Sequence, residues 1–230
     1  MTEQTGLPTG DEKARTVRAM FDRIAPRYDR LNRIMTFGMD AGWRRKSIAT
    51  LGLDGGSTVV DVACGTGDFC RELQNAGFDP IGFDVSFGML SMASTHAPLV
   101  QGDGLRLPLR DAAADGLTCG FALRNVVDLS LLFEESARVL RPGGRAAFLE
   151  TAQPDNPVLS LGHRLYFHKV VPKIGGWLSD RDAYSYLPKS SAYLPPKAGL
   201  IALLQDAGFG DVSVRFFGLG AVQLLTGTRS

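Results

Sequence analysis

Apolar residues come in short runs along this chain, and each run stops at an acid or a glycine. Val59-Val60-Asp61-Val62 is the first, and its near-continuous apolarity predicts a parallel strand covered on both faces. Pro80–Asp84, Leu99–Gln101, Leu117–Leu123 and Ala146–Leu149 repeat the form. Val212–Phe216 alternates instead, and the run Ala221–Thr226 follows so closely that the two predict an antiparallel pair. Between strands the apolar spacing lengthens to three and four. Val17, Met20, Phe21 and Ile24 predict a helix before Pro26; Phe69, Leu73 and Ala76 predict one stopped by Gly77. Met89, Leu90 and Met92 follow a capping Ser86, Leu131–Leu140 runs into Arg141-Pro142-Gly143-Gly144, and Lys197–Ala207 ends at Gly208. Thr9 and Glu12 have the spacing of a capping box. This alternation predicts an α/β fold: a mostly parallel seven-stranded sheet with an antiparallel C-terminal strand and helices on both faces.

Two stretches resist the pattern. Tyr28 to Trp43 mixes aromatic, Asn, Met and Gly residues without a clear period and leads to Arg44-Arg45-Lys46. Residues 1–50 read equally as a helical cap over the sheet and as a lid over a site. Residues 152–195 are irregular and rich in aromatic, Pro and Gly residues, as for a substrate-side insertion. One domain over residues 1–230 accommodates both.

The candidate chemistry lies where the strands end. After the first strand comes Ala63-Cys64-Gly65-Thr66-Gly67-Asp68, a glycine turn opening into a helix. Such a turn lets a ligand approach the backbone closely. The dinucleotide fingerprint would ask for a small residue where Cys70 stands, and Asp68 beside the turn repels a pyrophosphate and suits a cationic ligand. Asp84 ends the second strand about 20 residues on, where such folds hold ribose hydroxyls. Asp103 follows the third strand, placed for an adenine amine, and Arg124-Asn125 follow the fourth. Four successive strands thus bring polar residues to one sheet edge, the usual ligand edge.

Composition narrows the reading. The 230 residues are 44% hydrophobic and 21% charged, which is globular, and a formal net charge of +1 argues against a general nucleic-acid binder. Cys64, Cys70 and Cys119 show no metal-type pairing, and an odd count fits reduced thiols in a cytoplasm. His96, His163 and His168 form no zinc motif, so no metal is expected. No apolar run is long enough to span a membrane, and no secretion signal opens the chain.

Several motifs then agree. The glycine turn looks like the first motif of the class I S-adenosylmethionine (SAM) methyltransferases. Phe21-Asp22 with Tyr28-Asp29, Asn32, Phe37-Gly38 and Trp43-Arg44; Asp61 to Asp68; Phe121 to Val126; Arg138 to Gly144 with Glu150; Pro172-x-Ile174-Gly175; and Ala183-Tyr184-x-Tyr186-Leu187 together resemble the ubiquinone/menaquinone biosynthesis C-methyltransferase family. The resemblance covers residues 17–228. It implies a Rossmann-like class I fold, SAM as methyl donor, and methylation of a ring carbon in a polyprenylated quinol. It implies cofactor contacts from Asp61, Ala63, Gly65, Thr66, Gly67, Asp84, Val85, Asp103, Gly104 and Gly120. Gly120 stands where other members often carry Ser, Cys64 where Ala or Gly is frequent, Leu109 where Phe is usual, and Thr151-Ala152 where Phe-Ser is common. These departures bear on which quinone is methylated more than on the reaction.

The chemistry needs a phenolate held against a methyl donor. Arg124 is assigned to stabilise it, Asn125 to orient the hydroxyl or a water, and Tyr28 to close the pocket. An ion pair of Arg124 with Asp128 or Glu150 is the competing reading. Demethylmenaquinol is favoured as acceptor, with a benzoquinol of the ubiquinone pathway or another aromatic small molecule as alternatives. A polyprenyl tail calls for peripheral membrane contact, for which residues 163–178 are the candidate, or for an aromatic lid without lipid. A homodimer is compatible with all of this.

Overall fold

The computed structural model describes residues 8–152 and 190–230. Seven strands form one sheet: β1 (Thr58–Val62), β2 (Asp79–Asp84), β3 (Leu99–Gln101), β4 (Ala114–Gly120), β5 (Leu140–Thr151), β6 (Phe209–Phe217) and β7 (Val222–Arg229). Their order is β3-β2-β1-β4-β5-β7-β6. The first five run parallel, and β7 runs antiparallel between β5 and β6. The strand order reverses between β1 and β4, which start the two halves, so a crevice opens at their C-terminal ends.

The core follows the apolar runs. Val60, Val62, Leu117 and Phe148 face one helical layer containing Phe133 and Leu200. Val59, Ala147 and Leu149 face the other, with Phe69, Leu73, Trp43 and Ile48. Ser86 caps its helix as its sequence predicts, accepting from the Met89 amide at 3.1 Å. Thr9 occupies the predicted N-cap, but its side chain makes no capping bond.

Three readings differ from expectation. The helix predicted through Leu140 stops at Val139, and β5 already begins at Leu140, so Arg141–Gly144 belong to the strand and not to a turn before it. β4 stops at Gly120 rather than Leu123, because Phe121 adopts a left-handed φ of 57° and Leu123–Asn125 wind into a 3₁₀ turn. The unpatterned stretch after Tyr28 is helical: α1 (Gly10–Ile24) is followed by α2 (Tyr28–Met35) and α3 (Met39–Ala49). Its period is hidden because α3 buries Asp40 and Arg44 as an ion pair of 2.5 Å beside Trp43. The next helices are α4 (Asp68–Asn75), α5 (Phe87–Ser91), α6 (Leu129–Val139) and α7 (Lys197–Asp206).

Candidate active site

The turns after β1, β2, β3 and β4 surround a cavity of about 550 Å³. Its construction starts with backbone shape. Ala63 and Phe121, the first residues past β1 and β4, are both left-handed, with φ of 55° and 57°. Two non-glycine residues in that region on one cavity wall mark a strained site. Gly65 continues the first turn at φ 56°. Gly104 has no room for a side chain, since a Cβ there would lie 2.7 Å from Val62 Cγ1.

Asp84 ties two of these turns together. One carboxylate oxygen accepts from the Gly65 amide at 2.8 Å, the other from the Ser86 amide at 2.8 Å. Each oxygen keeps a further lone pair. Burial raises the Asp84 pKa above the usual carboxylate range, with the Ser86, Gly65 and Val85 amides acting against it. Asp103 also lines the cavity and accepts from the Leu105 amide at 3.0 Å. Phe83, Val85, Met89 and Leu105 supply apolar wall between these acids.

The β4 end is different. Asn125, Phe121, Ala122, Val126 and Leu132 line it, and among the described residues the buried Asn125 Oδ1 has no hydrogen-bond partner. Arg124 is absent from the wall. Its guanidinium pairs with the fully buried Glu150 at the end of β5 and donates to the Phe121 carbonyl at 2.9 Å. The Arg124 amide donates to the second Glu150 oxygen at 3.2 Å. The competing ion-pair reading, with Glu150 rather than Asp128, is therefore the one observed. Gly120 lines the cavity; a Cβ there would lie 2.6 Å from the Phe69 ring, so a serine would need that ring to move.

Three expected cofactor residues stand behind the wall. Asp61 is fully buried, accepting from Thr118 Oγ1 at 2.7 Å and from the Cys70 thiol at 3.5 Å, and burial pushes its pKa up to about 7. Thr66 donates its hydroxyl to Asp29 at 2.5 Å. Gly67 faces Thr95, whose Cγ2 would lie 2.7 Å from an added Cβ. The Asp68 carboxylate, expected to favour a cationic ligand, is already neutralised by Arg44 at 3.0 Å and by Arg71.

The sequence assigned Tyr28 to the roof but not the residues of α1 that make it. Ala14, Val17, Arg18 and Phe21 of α1 line the cavity, and Tyr28 joins them, edge-on to Phe21 at 5.9 Å. Burial raises the Tyr28 pKa. Polar contacts fasten this segment to three of the turns: Lys13 Nζ to the Val126 carbonyl at 2.7 Å, Asp29 to Thr66, and Asp22 to Ser86 Oγ at 2.6 Å and the Gly88 amide at 2.9 Å. The segment thus lines the cavity and is fastened over it. Asp22 and Asp29 belong to the Phe21-Asp22 and Tyr28-Asp29 motif, yet acids near a helix surface usually mean solvent. Among the described residues no cluster of His, Cys, Asp and Glu is arranged to hold a metal.

Strand order, a crevice at the reversal and carboxylates at the ends of β2 and β3 are the arrangement of a class I methyltransferase fold. Solved structures agree on the fold. A SAM-dependent methyltransferase of Thermotoga maritima, described as a possible histamine N-methyltransferase, superposes with a TM-score of 0.66 at 20% identity, covering 93% of this chain and 100% of its own. Magnesium protoporphyrin IX methyltransferase of Synechocystis gives 0.65 at 20%, covering 95% and 100%. The model of the ubiE/COQ5 methyltransferase family matches residues 9–229, and this chain belongs to that family. The demethylmenaquinone methyltransferase of Roseiflexus castenholzii is 41% identical over 231 residues, 97% of each chain. The ubiquinone/menaquinone biosynthesis C-methyltransferase UbiE of Syntrophotalea carbinolica is 38% identical, covering 93% and 94%. The chain is a SAM-dependent C-methyltransferase.

Proposed function

We propose that this chain methylates a ring carbon of demethylmenaquinol, converting it to menaquinol. The observation that carries this is full-length similarity to relatives named for that reaction. The cavity fits the two reactants at opposite ends. Spare acceptors on Asp84 and Asp103 suit the hydroxyls and amine of an adenosine, and Gly65 and Gly104 keep the backbone open beside it. SAM, when bound, supplies an electrophilic methyl group on a sulfonium.

The remaining work falls to the chain. Asn125 lines the cavity, and its side-chain oxygen, buried without a partner among the described residues, would accept a hydrogen bond from a quinol hydroxyl once the amide turns toward it. As that proton leaves to water, the adjacent ring carbon gains nucleophilic character. Arg124 and Glu150 are positioning residues here: together they grip both ends of the Phe121–Asn125 turn and so hold Asn125. Tyr28 and Phe21 close the roof and exclude water from the reacting carbon. Among the described residues no helix is long and apolar enough to cross a membrane, and the candidate segment 163–178 lies outside them.

The test is transfer of labelled methyl from SAM to two short-tail acceptors, a demethylmenaquinol and the benzoquinol of the ubiquinone pathway. Turnover on the first alone is expected. Turnover on both would broaden the role, and SAM binding with turnover on neither would point to another aromatic acceptor.

A further inference from the structure

We propose that Lys13 is a positioning residue for methyl transfer: its ammonium, held between the Val126 carbonyl and the Tyr193 ring, pins α1 over the cavity and steadies the turn that carries Asn125. The proposal rests on the reading above, in which Asn125 meets the acceptor. It starts from a buried cation. Lys13 is 4% exposed, on a helix where the neighbouring Asp11, Glu12 and Arg15 are exposed. Its Nζ donates to the Val126 carbonyl at 2.7 Å and lies 3.7 Å from the centre of the Tyr193 ring. Tyr193 in turn donates its hydroxyl to the Pro8 carbonyl at 2.6 Å, so it holds the start of α1 through both its ring and its oxygen. Three stretches far apart in sequence thus meet at one ammonium.

The place of this contact gives it a role. Val126 directly follows the 3₁₀ turn Leu123–Asn125, and both Asn125 and Val126 line the cavity. Arg124 and Glu150 grip that turn from within the wall, and Lys13 grips it from the roof. Ala14 and Val17, the next residue and the next helical turn, line the same cavity. The ammonium itself has only neutral partners there. Charged groups on the elements packed against it are engaged elsewhere: Arg124 with Glu150, and Asp128 on the Leu131 amide at 3.1 Å. Glu12 bears on Tyr193, whose pKa is raised by burial and then by that carboxylate. Burial alone lowers the Lys13 pKa, to about 8. The native state therefore binds fewer protons than the unfolded chain between about 8 and the ordinary 10.5, so the burial penalty is full below 8 and is relieved as pH rises toward 10.5. A lysine that costs stability at neutral pH, yet joins the roof to the reacting turn, acts through position. Its neutral amine still donates to the carbonyl but loses the attraction of the ring.

The experiment measures SAM affinity and single-turnover methyl transfer to a short-tail demethylmenaquinol, anaerobically, with both reactants saturating, from pH 6.5 to 9.5. At pH 6.5 Lys13→Met should transfer about tenfold more slowly than wild type. Its SAM affinity should stay within about twofold, because Asp22 and Asp29 fasten the other end of the roof. Its thermal midpoint at that pH should equal or exceed that of wild type, since the buried charge is gone. The gap in transfer should narrow to about threefold by pH 9.5, where wild type keeps the hydrogen bond and has lost the charge. Tyr193→Leu should slow transfer about threefold, and Tyr193→Phe should recover most of that rate by keeping the ring. The double variant Lys13→Met/Tyr193→Leu should be no slower than Lys13→Met alone. A Lys13→Met rate equal to wild type, a gap that ignores pH, or SAM affinity lost in step with transfer overturns the proposal. If wild type methylates only the benzoquinol, the acceptor reading fails and the same comparison is made on that acceptor. If it methylates neither, amide exchange of residues 121–126 decides: about tenfold faster in Lys13→Met at pH 6.5 supports the proposal, and unchanged exchange overturns it.

Discussion

The two ends of the cavity handle charge in opposite ways. At the β1–β3 end, Asp84 and Asp103 bind backbone amides yet keep lone pairs toward the cavity. At the β4–β5 end, Arg124 and Glu150 cancel each other inside the wall, and the uncharged Asn125 is the residue of that turn that lines the cavity beside Phe121 and Ala122. On the function proposed above, the first end would meet the donor-rich ligand and the second, largely apolar end the aromatic ring; Arg124, expected at the chemistry, stands one layer back on the turn that carries Asn125.

The largest effect should come from uncoupling that buried pair. Glu150→Ala leaves the Arg124 guanidinium buried without its carboxylate. A loss of about 3–5 kcal/mol is expected in denaturant unfolding. A loss under about 1 kcal/mol would mean the pair does not hold the β4–β5 end together.

A second effect is a pH slope. The Asp61 pKa rises to about 7 in the fold, against an ordinary value of 3.8. The native state then binds more protons than the unfolded chain between those values, so the stability from this group is full below about pH 4 and is lost as pH rises through 7. In Asp61→Asn that decline should flatten. Unfolding curves at pH 4, 5.5 and 7 check it, and parallel slopes for both proteins would contradict the assignment.

Asp84→Asn should weaken SAM binding by about 1.5–3 kcal/mol, roughly ten- to 150-fold, by replacing charged hydrogen bonds with neutral ones. Calorimetric titration measures it. Asn125→Ala is the smallest change. It should lower kcat by about tenfold, the loss of one neutral hydrogen bond, and leave SAM affinity alone. Steady-state kinetics with varied SAM separates the two.

The strand ends were legible in the sequence because a parallel sheet writes its pattern plainly: apolar run, then glycine or acid. Asp84 and Asp103 are legible that way, Gly104 only through the family resemblance, and all three line the cavity. The residues that eluded reading did so because long-range pairing overrides local pattern. Asp40 and Arg44 look like surface charges in a helix without period, yet they bury each other against Trp43. Thr66 and Asp61 sit on the expected turn and strand, but one is held by Asp29 and the other by Thr118, contacts spanning 37 and 57 positions. Arg124 is the sharpest case. Its place after β4 is readable, whereas its direction depends on Glu150, 26 residues on. The left-handed turn of Phe121 that sets this direction leaves no glycine in the sequence as a sign.

One paired measurement tests the division of labour most directly: SAM affinity and single-turnover methyl transfer to a short-tail demethylmenaquinol, in Asp84→Asn and Asn125→Ala side by side. The account expects Asp84→Asn to lose affinity while keeping the transfer rate at saturating SAM, and Asn125→Ala to keep affinity while transferring slowly. Equal loss of both quantities in both variants would show that the cavity has no separate ends.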